Sequence, residues 1–98
     1  MTITKNGNGS EVLLNVEGRL DTMTSPELEK EILALPESTE KLTIDFVKLD
    51  YISSAGLRVL LSAHKNFAKK GGMVITNVND TILDIFEVTG FKDILTIQ

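Results

Sequence analysis

The sequence predicts a single α/β domain over residues 1–98, built on a mixed, mostly parallel β-sheet with helices packed against it. Three observations carry that reading. Apolar residues alternate with polar ones in some segments and recur every three or four residues in others, so strands and helices interleave. Pro, Ser and Gly punctuate these segments without gathering into a linker, and no internal repeat divides the chain. Finally, 42% of the residues are hydrophobic and 24% charged, enough apolar material for one modest core. Strands that alternate with helices imply parallel pairing through right-handed crossovers.

Residues 2–5 read as a short edge strand, because Asn6-Gly7-Asn8-Gly9 supplies the positive-φ residues of a tight antiparallel hairpin. Residues 11–17 alternate, with Val12, Leu14 and Val16 facing one way and Glu11, Asn15 and Glu17 the other, the mark of a strand with one buried face. Thr24-Ser25-Pro26-Glu27 opens a helix with a hydroxyl cap, a proline suited to the first turn and a glutamate near the positive end of the dipole. Leu28, Ile32 and Leu35 mark its buried face, and Pro36 ends it. Residues 42–47 form a strand with Leu42, Ile44 and Phe46 on one side.

A second helix carries Leu57, Leu60, Leu61, His64, Phe67 and Ala68 and closes at Lys69-Lys70-Gly71, two cations in the last turn and a glycine cap. Met73-Val74-Ile75 is wholly apolar, as expected of a strand at the sheet centre covered on both faces. Asn79 or Asp80 caps a third helix bearing Ile82, Leu83, Ile85 and Phe86, and Gly90 stops it. Residues 94–97 make a last short strand, so the predicted order is β-β-α-β-α-β-α-β.

Composition excludes several classes of function. With no Cys there is no disulfide framework, thiolate metal site or cysteine nucleophile, which suits a cytoplasmic protein. Ten Lys+Arg against fourteen Asp+Glu leave a net charge of -4, the wrong sign for a face that binds nucleic acid through phosphates. No apolar run approaches the roughly 20 residues of a membrane span, and the polar start is unlike a signal peptide. A single histidine, His64, leaves little for metal or triad chemistry. The balance favours a binding or regulatory domain over an enzyme, with no cofactor or metal expected.

The most informative stretch is residues 45–61, where a strand runs out into a short loop, two serines come next and a helix begins at once. Ser53 and Ser54 sit where the first helical N–H groups lack partners and the dipole is positive. An N-capping role is the simplest reading of either serine. A nucleophile elbow is excluded, since Ile52 occupies its first glycine position and the one His lies on the apolar stripe. Neither glycine-rich phosphate loop occurs. Phosphorylation remains, because a helix N-terminus accepts a dianion without melting.

This segment resembles the signature of STAS domains, in particular the small stand-alone anti-sigma-factor antagonists of bacterial partner-switching systems. Leu49-Asp50-Tyr51-Ile52 leads into Ser53-Ser54-Ala55-Gly56-Leu57 as the family's strand leads into Asp-Ser-Ser/Thr-Gly-Leu. Gly18-Arg19-Leu20-Asp21 resembles the Gly-x-Leu-Asp turn before the first helix, and Gly71-Gly72 the glycine pair before the penultimate strand. Ile85-Phe86, Thr89, Gly90 and Phe91 resemble the late helix and its stop, so the likeness runs along the whole chain.

The resemblance implies a non-catalytic protein that binds an anti-sigma factor with serine kinase activity, is released when phosphorylated, and is reset by a serine phosphatase. Direct nucleic-acid or membrane contact is not expected. Aligned on Gly56, the phosphoacceptor falls on Ser54; Ser53 replaces the family's acid and is a second candidate, and Ala55 follows the acceptor. The partner-binding face then comprises Asp21, Ser53, Ser54, Ala55, Gly56 and Arg58. The alternative is a STAS scaffold or ligand-sensing module that is not phospho-switched. Among weaker candidates, His64 reads as a packing residue, Asp21 and Asp45 as turn acids or partner contacts, and Lys69-Lys70 as dipole complementation.

Overall fold

In the computed structural model, which describes residues 1–7 and 9–98, strand β1 (Thr2–Asn6) runs antiparallel to β2 (Glu11–Leu20). Gly7 and Gly9 take the left-handed φ of 87° and 73° that the hairpin requires. Asn8, the remaining residue singled out in that turn, lies outside the described residues. β2 outruns the alternating pattern because it is bulged. Gly18 has φ 96°, and the register shifts between Gly18 and Arg19, which turns the end of the strand toward a different neighbour.

The bulge splits the parallel pairing of β2 between two strands. β3 (Lys41–Asp45) pairs with its first half, from Glu11 opposite Lys41 to Asn15 opposite Asp45. β4 (Leu49–Ile52) pairs with its end, Leu20 standing opposite Ile52. The single strand expected over residues 42–47 and the loop after it are therefore two strands. They are joined by a turn in which the Val47 N–H donates to Asp45 Oδ1 at 2.8 Å. Alternation misses β4 because Leu49 and Ile52 are buried with two exposed residues between them.

β5 (Gly72–Thr76) pairs in parallel with β3 and closes the order β1-β2-β3-β5, with β4 on β2. Beyond β5 there is only an isolated bridge between Ile75 and Ile97, so the predicted last strand over 94–97 shrinks to one pairing after the 3-10 turn Phe91–Asp93. The expectation of a central strand covered on both faces is overturned. Met73 and Ile75 are buried but Val74 is half-buried, and the same alternation holds along β2 and β3. Helices cover one sheet face and the other is open; Val74 fits there because a β-branched residue suits a half-exposed pleated surface.

Helices α1 (Ser25–Leu33), α2 (Ser54–Phe67) and α3 (Asp80–Thr89) fill the covered face. Leu28 and Ile32, then Leu57, Leu60, Ala63 and Phe67, then Ile82 and Phe86 join Val12, Leu14, Leu42 and Ile44 in one core. α3 has the expected ends: Asn79 Oδ1 accepts from the Ile82 N–H at 2.9 Å, and Gly90 is left-handed at φ 81°. α1 stops at Leu33, before Leu35 and Pro36.

α2 stops at Phe67, so Lys69, Lys70 and Gly71 form the next turn and the left-handed glycine is Gly72, at φ 97°. Lys70 does more than complement a dipole. Its Nζ donates to the carbonyls of Glu37 and Thr39 at 3.1 and 3.0 Å, tying the α1–β3 loop to the end of α2.

Candidate functional site

The strand ends that the bulge brings together build the site. Leu20 and Ile52 are paired, and the Ser53 N–H donates to the Leu20 carbonyl at 2.9 Å. The turn after β2 and the first turn of α2 are thereby set side by side. Gly56 is what allows α2 to start there. A Cβ on it would lie 2.8 Å from both Ile52 Cγ1 and Leu20 Cγ, so the helix rests directly on these two core side chains. Gly56 is buried against the core.

The register from Gly56 separates the two serines. Ser53 holds the N-cap position in backbone terms, with φ -102° and ψ 176°, and its carbonyl accepts from the Leu57 N–H at 3.0 Å. Its hydroxyl makes no capping bond, which corrects the expected side-chain cap, and Oγ is buried with no hydrogen-bond partner. Ser54, the first residue of α2, is exposed. Ala55 is half-buried, and Arg58 is exposed one turn further along. No acid lies in the first turn of α2. The ion pairs among the described residues, Arg19–Asp21, Lys48–Glu17 and Lys92–Glu87, leave Arg58 out.

Across from the serines, the turn after β2 is locked by its own acid. Asp21 Oδ1 accepts from the N–H groups of Met23 and Thr24 at 3.0 and 3.1 Å. Thr24 Oγ1 accepts from the Asp21 N–H and donates to the Arg19 carbonyl, both at 2.8 Å. The Thr24 N–H above all, with Met23 and then the Arg19 guanidinium, holds the Asp21 carboxyl below the usual carboxylate range. Asp21 is thus engaged by its own turn, and Thr24 spends its hydroxyl on the turn rather than on capping α1.

The product of this lock is Met23, held out at 84% exposure, which sequence reasoning missed because nothing local distinguishes it from a buried methionine. Between this turn with α1 and the start of α2 runs an open groove of about 340 Å³, lined by Thr22, Pro26, Glu29, Ala55, Arg58 and Ser62 among others.

The remaining candidates fall outside this end. His64 is half-buried on α2, with Nδ1 buried and without a hydrogen-bond partner. Asp45 serves its own turn and accepts from Asn77 Nδ2 at 3.2 Å. Among the described residues no group of three or more His, Cys, Asp or Glu could hold a metal, and no helix is long and apolar enough to cross a membrane.

A five-stranded sheet with three helices on one face, an exposed serine at the start of the second helix and a hydrogen-bonded turn beside it make a small α/β domain. The chain belongs to the STAS domain family, whose model matches residues 2–98. It is 30% identical over 92 residues to the anti-sigma-B factor antagonist of Bacillus subtilis, covering 93% of this chain and 84% of that protein. It is 32% identical over 84 residues to a putative anti-sigma factor antagonist, BtrV, of Bordetella bronchiseptica, covering 84% and 72%. The crystal structure of an anti-sigma factor antagonist from Mycobacterium paratuberculosis superposes with a TM-score of 0.87 at 23% identity, over 98% of this chain and 83% of that one, a likeness of fold.

Proposed function

We propose that this chain is an anti-sigma-factor antagonist whose affinity for its partner is set by phosphorylation of Ser54. The unmodified form binds an anti-sigma factor that is also a serine kinase and so frees a sigma factor. That kinase transfers the γ-phosphoryl group of ATP to Ser54 Oγ, releasing ADP and the hydroxyl proton, and a serine phosphatase hydrolyses the ester. The chain itself does no catalysis and works in the cytoplasm.

The observation that carries the reading is the contrast between adjacent serines: Ser54 is exposed on the first turn of α2, while Ser53 Oγ is buried. Ser54 is therefore the serine whose hydroxyl side is already open to a kinase. The relatives from Bacillus subtilis and Bordetella bronchiseptica supply the partner class. The docking face of this reading takes in Ser54, Ala55 and Arg58 and the groove beside them, with Gly56 and the turn of Asp21 holding the backbone beneath. A phosphoryl group adds about -1.5 to -2 charge at the centre of that face, enough to shift binding by orders of magnitude where the contact is desolvated.

The test is titration and phosphorylation with the purified anti-sigma factor. Ser54→Ala should bind and resist phosphorylation, Ser54→Asp should bind poorly, and Ser53→Ala should still accept phosphate. Phosphate located by fragment-ion mass spectrometry on Ser53, with Ser54 bare, overturns the assignment. Tight binding without any phosphoryl transfer points instead to an unswitched scaffold.

A further inference from the structure

We propose that Arg58 is a clamp in cis for the phosphoryl group on Ser54, so that the modified form neutralises part of its new charge internally. The inference rests on the reading of Ser54 as acceptor. It concerns what the phosphorylated chain does with its own dianion.

Ser54 and Arg58 stand four residues apart on α2, both exposed, which puts them on neighbouring positions of one helix face. The anion is N-terminal to the cation, the favourable order for such a pair. Arg58 is available, since the ion pairs among the described residues do not engage it. Arginine also has the right chemistry: its planar fork matches two oxygens of a phosphate monoester, which a lysine point charge does not.

The carboxylates of the adjoining turn and of the shared groove do not engage Arg58. α2 has no acid in its first turn, and Asp21 is occupied by the Met23 and Thr24 N–H groups and by Arg19. Glu29 on α1 shares the groove with Arg58 but forms none of the ion pairs among the described residues.

The clamp has a regulatory consequence. In the unmodified chain the Arg58 guanidinium is free to reach a partner across the groove. Once Ser54 carries phosphate, the same guanidinium is drawn back along its own helix. One modification then both adds an anion to the docking face and withdraws a cation from it.

The experiment needs no kinase, so its failure is separate from failure of the proposed function. Phosphoserine is installed at position 54 of the full chain by genetic-code expansion, with Arg58, Arg58→Gln or Arg58→Lys. The second ionisation of the phosphate is followed by phosphorus NMR in low salt. The acid dissociation constant should be about two- to threefold larger with Arg58 than with Gln, with Lys between, and the difference should shrink in high salt and in urea. Coincident titrations of the Arg58 and Arg58→Gln proteins, or a difference that survives unfolding in urea, overturn the clamp.

Discussion

Replacing Gly56 with alanine sets two opposed effects against each other, and the geometry decides the sign. Alanine is favoured over glycine inside a helix by about 1 kcal/mol at most, and by less this close to the N-terminus. Against that, the new Cβ would stand 2.8 Å from Leu20 Cγ and Ile52 Cγ1 and 3.1 Å from Leu20 Cδ2. These are not chain ends that can swing aside, for Leu20 is 0% and Ile52 2% exposed and both are held in the core. Overpacking of this kind costs about 1–3 kcal/mol.

The net expectation is a loss of about 1–2 kcal/mol, read as a lower urea midpoint at unchanged m-value and a melting temperature lower by about 4–8 °C for each kcal/mol. Truncating Leu20 removes two of the three close contacts and leaves Ile52 Cγ1, so Gly56→Ala should cost less, though still something, in a Leu20→Ala background, a coupling of about 1 kcal/mol. A Gly56→Ala protein as stable as wild type, or more so, would refute the reasoning. The same geometry means that binding lost in a Gly56 variant reports on the fold as much as on the docking face.

Asn79→Ala removes the cap on the Ile82 N–H and the bond from Asn79 Nδ2 to the Leu49 carbonyl at 2.8 Å. Denaturant unfolding should show a loss of about 1–2 kcal/mol, and a change below about 0.5 kcal/mol would contradict both roles. Asp21 predicts a pH dependence: its folded carboxyl titrates below its unfolded value, so its contribution is complete above the ordinary carboxylate range and fades as pH falls through the folded value. Asp21→Asn keeps an acceptor oxygen but not the charge. Its melting temperature should therefore lie below wild type from about pH 5 to 7 and converge with it in stronger acid, and a gap unchanged by acid would sink the argument.

Fold class and most elements were legible because they are written in local periodicity. The alternation of Val12, Leu14 and Val16 and the helical spacing of Leu57, Leu60 and Phe67 need no knowledge of the rest of the chain. What escaped is non-local. β4 exists because a bulge at Gly18 turns β2 toward it, and its buried pair Leu49 and Ile52 shows no alternation. The edge position of β5 is a property of strand order, which its apolar run cannot state. Lys70 reads as a helix-end cation until the loop that it clamps is brought to it. At the site, the strand-to-helix junction singled out the two serines and the family resemblance favoured Ser54, but which hydroxyl is buried depends on how α2 sits on Leu20 and Ile52.

That seating divides the site's residues by direction, and the division bears on how a switch here could work. Ser53 Oγ and Gly56 are buried, while Asp21 is spent on its own turn at the surface: one starts a helix through its backbone, one lets the helix approach the sheet, one locks a turn. Met23, Ser54 and Arg58 point outward and are exposed. A dianion added to Ser54 therefore enters solvent beside the free N–H groups of a helix start, a favourable place for negative charge by about 0.3–1 kcal/mol. Nothing in the core has to move to admit it. On the proposed reading, a phosphate-driven loss of partner affinity acts by charge and fit at the surface around Ser54, with the fold of the domain left standing.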